Sequence, residues 1–499
     1  MKYLYLALLL SQQAHAASVA IDGMFDTVNA LLAQIIFFDV FPGEPVMPFI
    51  VGWLIVAAVF LTLRFNFVNL RMMRHAYRVI RGKYRTAEDK GEVTPFQALT
   101  TALSATVGLG NIAGVAIAIS IGGPGATLWM ILAGFLGMST KFTEASLAQM
   151  YREVRPDGRL MGGAMEYLSR GFAEKGAPRL GKSLAIMFAL FTILGSFGAG
   201  SAFQISQSLG AVQSQISFFR EVPIAYGLFM AVAVGLVIIG GIRRISHVAE
   251  AVVPLMVIIY LSACLWIIGS NAELIPATLV KIFTEAFSPV AVAGGMVGAL
   301  VQGFKRAAFS SEAGLGSAAI AHSAASVKYP VRQGLVALYE PFIDTVVICT
   351  MTALVIVITG VYNAPAYEAL RAASEGASLT SAAFATVSDW FPMVLTLSVV
   401  LFAYSTAISW SYYGERCWVY VFGERYSLLY KSIFIGFVIV ASVASPASLL
   451  DFTDLLVLAM AFPNLIGLYL LSGKVKVALG EYRAKLASGE LDREAGIRR

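Results

Sequence analysis

Long apolar runs separated by short charged loops constrain this chain more than any other feature. The runs cover roughly 46–63, 95–120, 124–150, 183–208, 222–241, 249–268, 291–325, 332–360, 386–413, 430–445 and 450–472. A helix needs about 20 apolar residues to cross a hydrocarbon core of about 30 Å. Lipid offers no partners to backbone N–H and C=O groups, so continuous runs of this length must satisfy them internally, as helices. The expected fold is an all-α polytopic membrane protein with about 11 transmembrane helices. Composition agrees: 58% of residues are hydrophobic and only 13% charged, against about a quarter charged in a soluble domain.

The basic residues orient these runs. Of the 36 lysines and arginines, Arg220, Lys281 and Arg371 fall in loops on one side, Lys2 opens the chain and Lys141 lies inside a run. All the others fall on the opposite side, beginning with Arg64, Arg71, Arg74, Arg78, Arg81, Lys83, Arg85 and Lys90 after the first run. The positive-inside rule makes that side cytoplasmic, with the N-terminus outside and the C-terminus inside. Spread over many loops, the +6 net charge indicates no nucleic-acid partner. Lys2, the apolar stretch Tyr3–Leu10 and Ala14-His15-Ala16 have the layout of a secretory signal peptide over 1–16, with an uncleaved anchor as the alternative. A periplasmic segment (17–45, with a surface helix near 22–38) and a leading span (46–63) would follow. Two five-helix units (95–268 and 291–472) and a cytoplasmic tail (473–499) complete the division. Cys264, Cys349 and Cys417 are far apart and form neither a disulfide framework nor a metal spacing.

Two runs interrupt their own helices. The second contains Thr106-Val107-Gly108-Leu109-Gly110-Asn111, the seventh Gly294-Gly295, Gly303 and Ser310-Ser311-Glu312-Ala313-Gly314-Leu315-Gly316. They hold matching positions in two five-span units of opposite orientation, which points to inverted repeats with a binding site at the midplane. Unwinding frees N–H groups that suit a carboxylate and carbonyls that, with Ser, Thr and Asn oxygens, suit a hard cation. Close helix packing is the other use of such glycines. Gly108 to Ala113 also matches a dinucleotide fingerprint. It lacks the strand and the following acid which that motif requires, so the match is accidental.

Several stretches resemble the alanine or glycine:cation symporter family. They are Ala105 to Ala116, Gly122-Gly123-Pro124-Gly125-Ala126, Gly137 to Glu144, Phe309 to Ala318, Ile320-Ala321-His322 and Trp410 to Arg416. The resemblance implies a five-plus-five inverted-repeat core with discontinuous helices and one leading span, in a bacterial inner membrane. It implies sodium-coupled import of small neutral amino acids such as alanine and glycine by alternating access, with sodium as coupling ion and no organic cofactor. Carried over residue by residue, Leu109, Gly110 and Asn111 would hold the substrate carboxylate. Gln204, Gly303, Phe309 and Trp410 would line the pocket, and Ser104, Thr106, Val107, Ser405 and Thr406 would form a sodium site. Ala307 and Ser311 depart from the family's usual glycine and asparagine.

Charged residues inside the runs need partners. Lys141 and Glu144, one turn apart, suit a local pair or snorkelling as well as function. Glu340 and Asp344 have Lys305, Arg306 and Glu312 on the preceding span as candidate partners, in a gate or structural network. His75 and His247 are expected to be solvated, and His322 to be structural. An intramembrane enzyme would need a nucleophile with a positioned base or clustered metal ligands, which four scattered histidines do not supply. A channel, or an amino-acid-binding sensor on the same fold, remains open at this point.

Overall fold

The computed structural model describes residues 47–155, 160–288 and 295–497, with scattered positions between 23 and 39. The proposed signal peptide, and most of the segment 22–38, lie outside the described residues. Helices cover every apolar run. In chain order they are α1 (Phe49–Arg64), the short amphipathic α2 (Met73–Ile80), α3 (Pro95–Thr106), α4 (Gly110–Gly122) and α5 (Ala126–Tyr151). Next come α6 (Pro178–Gln215), α7 (Pro223–Ile238), α8 (Gly241–Ser270), α9 (Gly295–Ser311) and α10 (Ala319–Ser323). Then follow α11 (Pro330–Thr359), α12 (Gly376–Ala385), α13 (Phe391–Phe422), α14 (Ser427–Val440) and α15 (Pro446–Ala487), with further helices such as Ala164–Glu174 and Ile275–Ala286 in the connections. Among the described residues the only sheet is a two-residue hairpin, Glu153–Val154 with Leu160–Met161. By length and hydropathy five helices among the described residues, α6, α8, α11, α13 and α15, suffice to cross a membrane; the bent pair α3–α4 makes a sixth.

Several helices run past the apolar windows because their ends are locally encoded. Proline at the first turn starts α3, α6, α7, α11, α13 and α15, where its fixed φ fits and its missing N–H costs nothing. At α3 a capping box completes the start: Gln97 N–H donates to Thr94 Oγ1 (3.1 Å) and Thr94 N–H to Gln97 Oε1 (3.0 Å). α5 lies at the centre, packed along α9 and α11. Small residues allow the close approach: a Cβ on Gly303 would meet Ala126 O at 2.6 Å, and one on Gly134 would meet Thr345 at 2.7 Å.

Both ends of this bundle are tied. At the end carrying the basic loops, residues 91–93 run beside 324–326: Glu92 N–H donates to Ala324 O (2.9 Å) and Ser326 N–H to Val93 O (2.8 Å). Arg152 braces the tie from the end of α5, donating to Ser323 O (3.0 Å), Ala325 O (2.7 Å) and Lys90 O (2.7 Å). At the other end α12 lies on α4 so closely that a Cβ at Gly376 would sit 2.2 Å from Ala113 O.

Candidate functional site

The site grows from the break in the second run. α3 ends at Thr106, α4 begins at Gly110, and their axes differ by 53°. Gly110–Gly114 then winds as a π turn, a form that clusters at functional sites. Glycine is required at 108: a Cβ there would stand 2.5 Å from Thr406 Oγ1 and 3.1 Å from Gln204 Oε1. The break is thus pressed between α13 and α6, and Gln204 follows a second π turn, Gly198–Ala202.

The chain itself supplies partners for the freed N–H groups. Leu109 N–H donates to Gln204 Oε1 (3.0 Å), and Gln204 Nε2 donates to Ala199 O (3.0 Å). Gly108 N–H donates to Asn111 Oδ1 (2.9 Å). Asn111 therefore closes the break backwards rather than capping the helix that follows it. Its Nδ2 is engaged too, by Ser310 Oγ (2.9 Å) and Asp344 Oδ1 (2.6 Å). Asp344 also accepts from Ser310 (2.7 Å) and Thr345 (2.6 Å) hydroxyls, so Asn111, Ser310 and Asp344 join α4, α9 and α11 at one point.

Of the expected sodium ligands, Ser104 meets the Ser405 carbonyl and Thr406 lies against Gly108. Ser104 Oγ donates to Ser405 O (2.7 Å), and Ser405 Oγ to Phe402 O (3.0 Å). Thr106 Oγ1 donates to Ala102 O (3.2 Å) within its own helix. Thr406 Oγ1 is buried and has no hydrogen-bond partner among the described residues, which is costly unless another species completes it. Val107, the last residue of α3's turn, is fully buried.

The remaining pocket candidates separate. Phe309 stays: its ring would touch a Cβ on Gly110 at 3.0 Å, and it meets Phe203 edge-on at 5.4 Å. Trp410 packs on the π turn of α6, where a Cβ at Gly200 would be 2.4 Å from the Trp410 Cβ. Gly303 faces α5 as a packing glycine, away from the break. Sequence spacing does not tell these two uses of glycine apart.

The second break, between α9 and α10, is unwound by left-handed residues: Glu312 (φ +55°), Gly314 (+93°) and Gly316 (+82°). Glu144 Oε1 accepts the freed N–H groups of Gly314 (3.0 Å) and Gly316 (3.1 Å), with Asn464 Nδ2 at 2.7 Å. Glu144 therefore serves the neighbouring break instead of pairing with Lys141. Lys141 crosses to Glu340 (2.8 Å), both fully buried. The other Glu340 oxygen meets His322 Nε2 (3.1 Å), and His322 Nδ1 meets Gln333 Nε2 (2.7 Å). With its amide nitrogen towards the ring, Gln333 donates to Nδ1, and the His322 proton is then assigned to Nε2, facing Glu340. Glu312 accepts from the Ser317 hydroxyl. Lys305 and Arg306 do not reach Glu340 or Asp344. Both pair with Asp454 on α15, Lys305 at 2.8 Å. The sequence reading passed over Asp454, although an acid inside the last apolar run was the signal for it. His247 is exposed as expected, but His75 is buried and bonded to the Tyr482 hydroxyl (2.8 Å). The amphipathic α2 turns it inward.

Residues 35–495 match the model of the sodium:alanine symporter family. The chain is similar to the sodium/alanine symporter AgcS of Methanococcus maripaludis, 41% identical over 86% of this chain and 92% of that protein. It is also similar to the probable sodium/glutamine symporter GlnT of Bacillus subtilis, 32% identical over 87% of each. In three dimensions it resembles MhsT, solved in complex with L-phenylalanine, with a TM-score of 0.55 and 14% identity over 77% of this chain and 89% of that one. That likeness is one of fold.

Proposed function

Since the chain belongs to the sodium:alanine symporter family, a family of transporters and not of enzymes, we propose that it imports small neutral amino acids, alanine or glycine, with sodium. Transport would proceed by alternating access through eleven spans: a leading helix and two inverted five-helix repeats. The orientation follows the basic loops, with the N-terminus periplasmic and the C-terminus cytoplasmic in a bacterial inner membrane.

One observation carries the reading: a glycine break, bent by 53°, lies against a buried Thr406 hydroxyl that has no partner. Sodium, taking oxygen ligands, would complete Thr406 with Ser104, Thr106, Val107 and Ser405. The substrate carboxylate would take the Leu109 and Gly110 N–H groups, beside Asn111 and under Phe309. Gln204 Oε1 now holds the Leu109 N–H as a carboxylate oxygen would, so binding means exchanging one acceptor for another. Trp410 would act through the α6 π turn that seats Gln204. The buried networks of Lys305, Glu312, Glu340 and Asp344 would hold the moving helices together. Uptake of labelled alanine, glycine and serine into proteoliposomes under an inward sodium gradient tests this. Alanine or glycine should accumulate, and equal uptake with choline replacing sodium would overturn the coupling.

A further inference from the structure

We propose that a basic cavity beneath α2 binds the phosphate of an anionic phospholipid. The cavity has a volume of about 200 Å³ and lies between the end of α2, the first turn of α3 and the 326–327 loop. Arg81, Arg85 and Arg332 line it, with Asp89 as the one acidic residue. Arg332 is 2% exposed, and its Nε has no hydrogen-bond partner among the described residues. Its Nη1 donates to Tyr84 O (2.7 Å) and stands 3.5 Å from Asp89 Oδ1. Asp89 is already shared, since its two oxygens accept from Thr86 N–H (2.8 Å) and Lys328 N–H (2.7 Å). Three arginines against one divided carboxylate thus leave the cavity wall net basic, with a buried Arg332 donor to spare, while the guanidinium groups of Arg81 and Arg332 also lie over the Tyr77 and Tyr329 rings. Such a place selects an oxyanion, and guanidinium pairs well with phosphate.

Lipid is favoured over a free anion by what surrounds the cavity. α2 is an amphipathic helix with Tyr77 and Arg78 exposed, preceded by exposed Phe67 and Leu70, the make-up of a segment lying in the headgroup layer. On the proposed orientation this is the cytoplasmic leaflet, where basic pockets between helices take anionic headgroups. The cavity wall includes Thr94, Pro95, Phe96 and Ser326. A bound headgroup would therefore brace α2 and the tie between 91–93 and 324–326.

The test is thermal unfolding of the full chain in a neutral detergent, titrated with dioctanoyl phosphatidylglycerol, dioctanoyl phosphatidylcholine or inorganic phosphate. Phosphatidylglycerol should raise the midpoint saturably by about 2–4 °C and phosphatidylcholine should not. Arg81→Gln/Arg85→Gln changes exposed residues, so it should fold normally and need at least tenfold more lipid. Arg71→Gln/Arg74→Gln, equally basic but off the cavity, should respond as wild type. Equal shifts with both lipids, or equal losses in both variants, would overturn the site. An inorganic phosphate response matching that of phosphatidylglycerol would overturn the lipid assignment.

Discussion

Replacing Lys141 with methionine removes the ammonium that Glu340 meets at 2.8 Å where neither side chain reaches solvent. Glu340 would keep only His322 at 3.1 Å. Glu144 and Glu312 also lie within the field of Lys141, so the substitution strips the cation from three carboxylates at once. Breaking a buried pair from one side costs about 3–5 kcal/mol, since the surviving charge stays desolvated. Glu340→Gln should cost less, because Lys141 then still has Glu144 and Glu312 near it. The double variant should be no less stable than Lys141→Met alone, so the coupling should be at least as large as the Glu340→Gln cost, within about 0.5–3 kcal/mol. Reversible unfolding of the four proteins in mixed micelles measures this cycle. Additive losses, or a Lys141→Met cost below about 1 kcal/mol, would refute the reasoning.

Other outcomes follow from single contacts. Asn111→Ala leaves the Gly108 N–H and the Asp344 carboxylate each short of a partner, and should cost about 1–3 kcal/mol in the same unfolding assay; a neutral result would mean those groups find other partners. Burial first, then Arg332 and Arg78, holds the His75 imidazole at about 4 against an ordinary 6.5, so the unfolded chain takes up the proton first. That stability is whole above about pH 6.5 and lost as pH falls towards 4, by at most about 3 kcal/mol; His75→Gln should lack this part of the pH dependence, and identical pH profiles would contradict it. Gly376→Ala would place a methyl 2.2 Å from Ala113 O and push α12 off α4. Thr380→Cys, on the buried face of α12, should then react several-fold faster with a membrane-impermeant thiol reagent, and an unchanged rate would show that α12 accommodates the methyl.

The helices and their breaks were legible because glycine and hydropathy act locally. Gly108-Leu109-Gly110 stands out inside an apolar run, and it is where the axis bends by 53°. The partners were not legible, because they are set by which faces meet in space. Lys141 and Glu144 share a turn, yet one reaches Glu340 on α11 and the other the Gly314 and Gly316 N–H groups. The freed backbone groups were expected to await a ligand. In the folded chain Gln204, Asn111 and Glu144 already satisfy them, as a buried break demands. Gly303 fell within a glycine-rich stretch, and only the neighbouring Ala126 backbone marks it as a packing position.

If sodium binds at the second-run break through Thr406, Thr406→Ala should change the sodium dependence of alanine binding. The hydroxyl has no protein partner to lose, so the fold should survive the substitution. The sodium concentration for half-maximal binding should rise about tenfold, equivalent to about 1.4 kcal/mol, with alanine affinity recovered at saturating sodium. Wild-type sodium dependence in a well-folded Thr406→Ala protein would contradict the account.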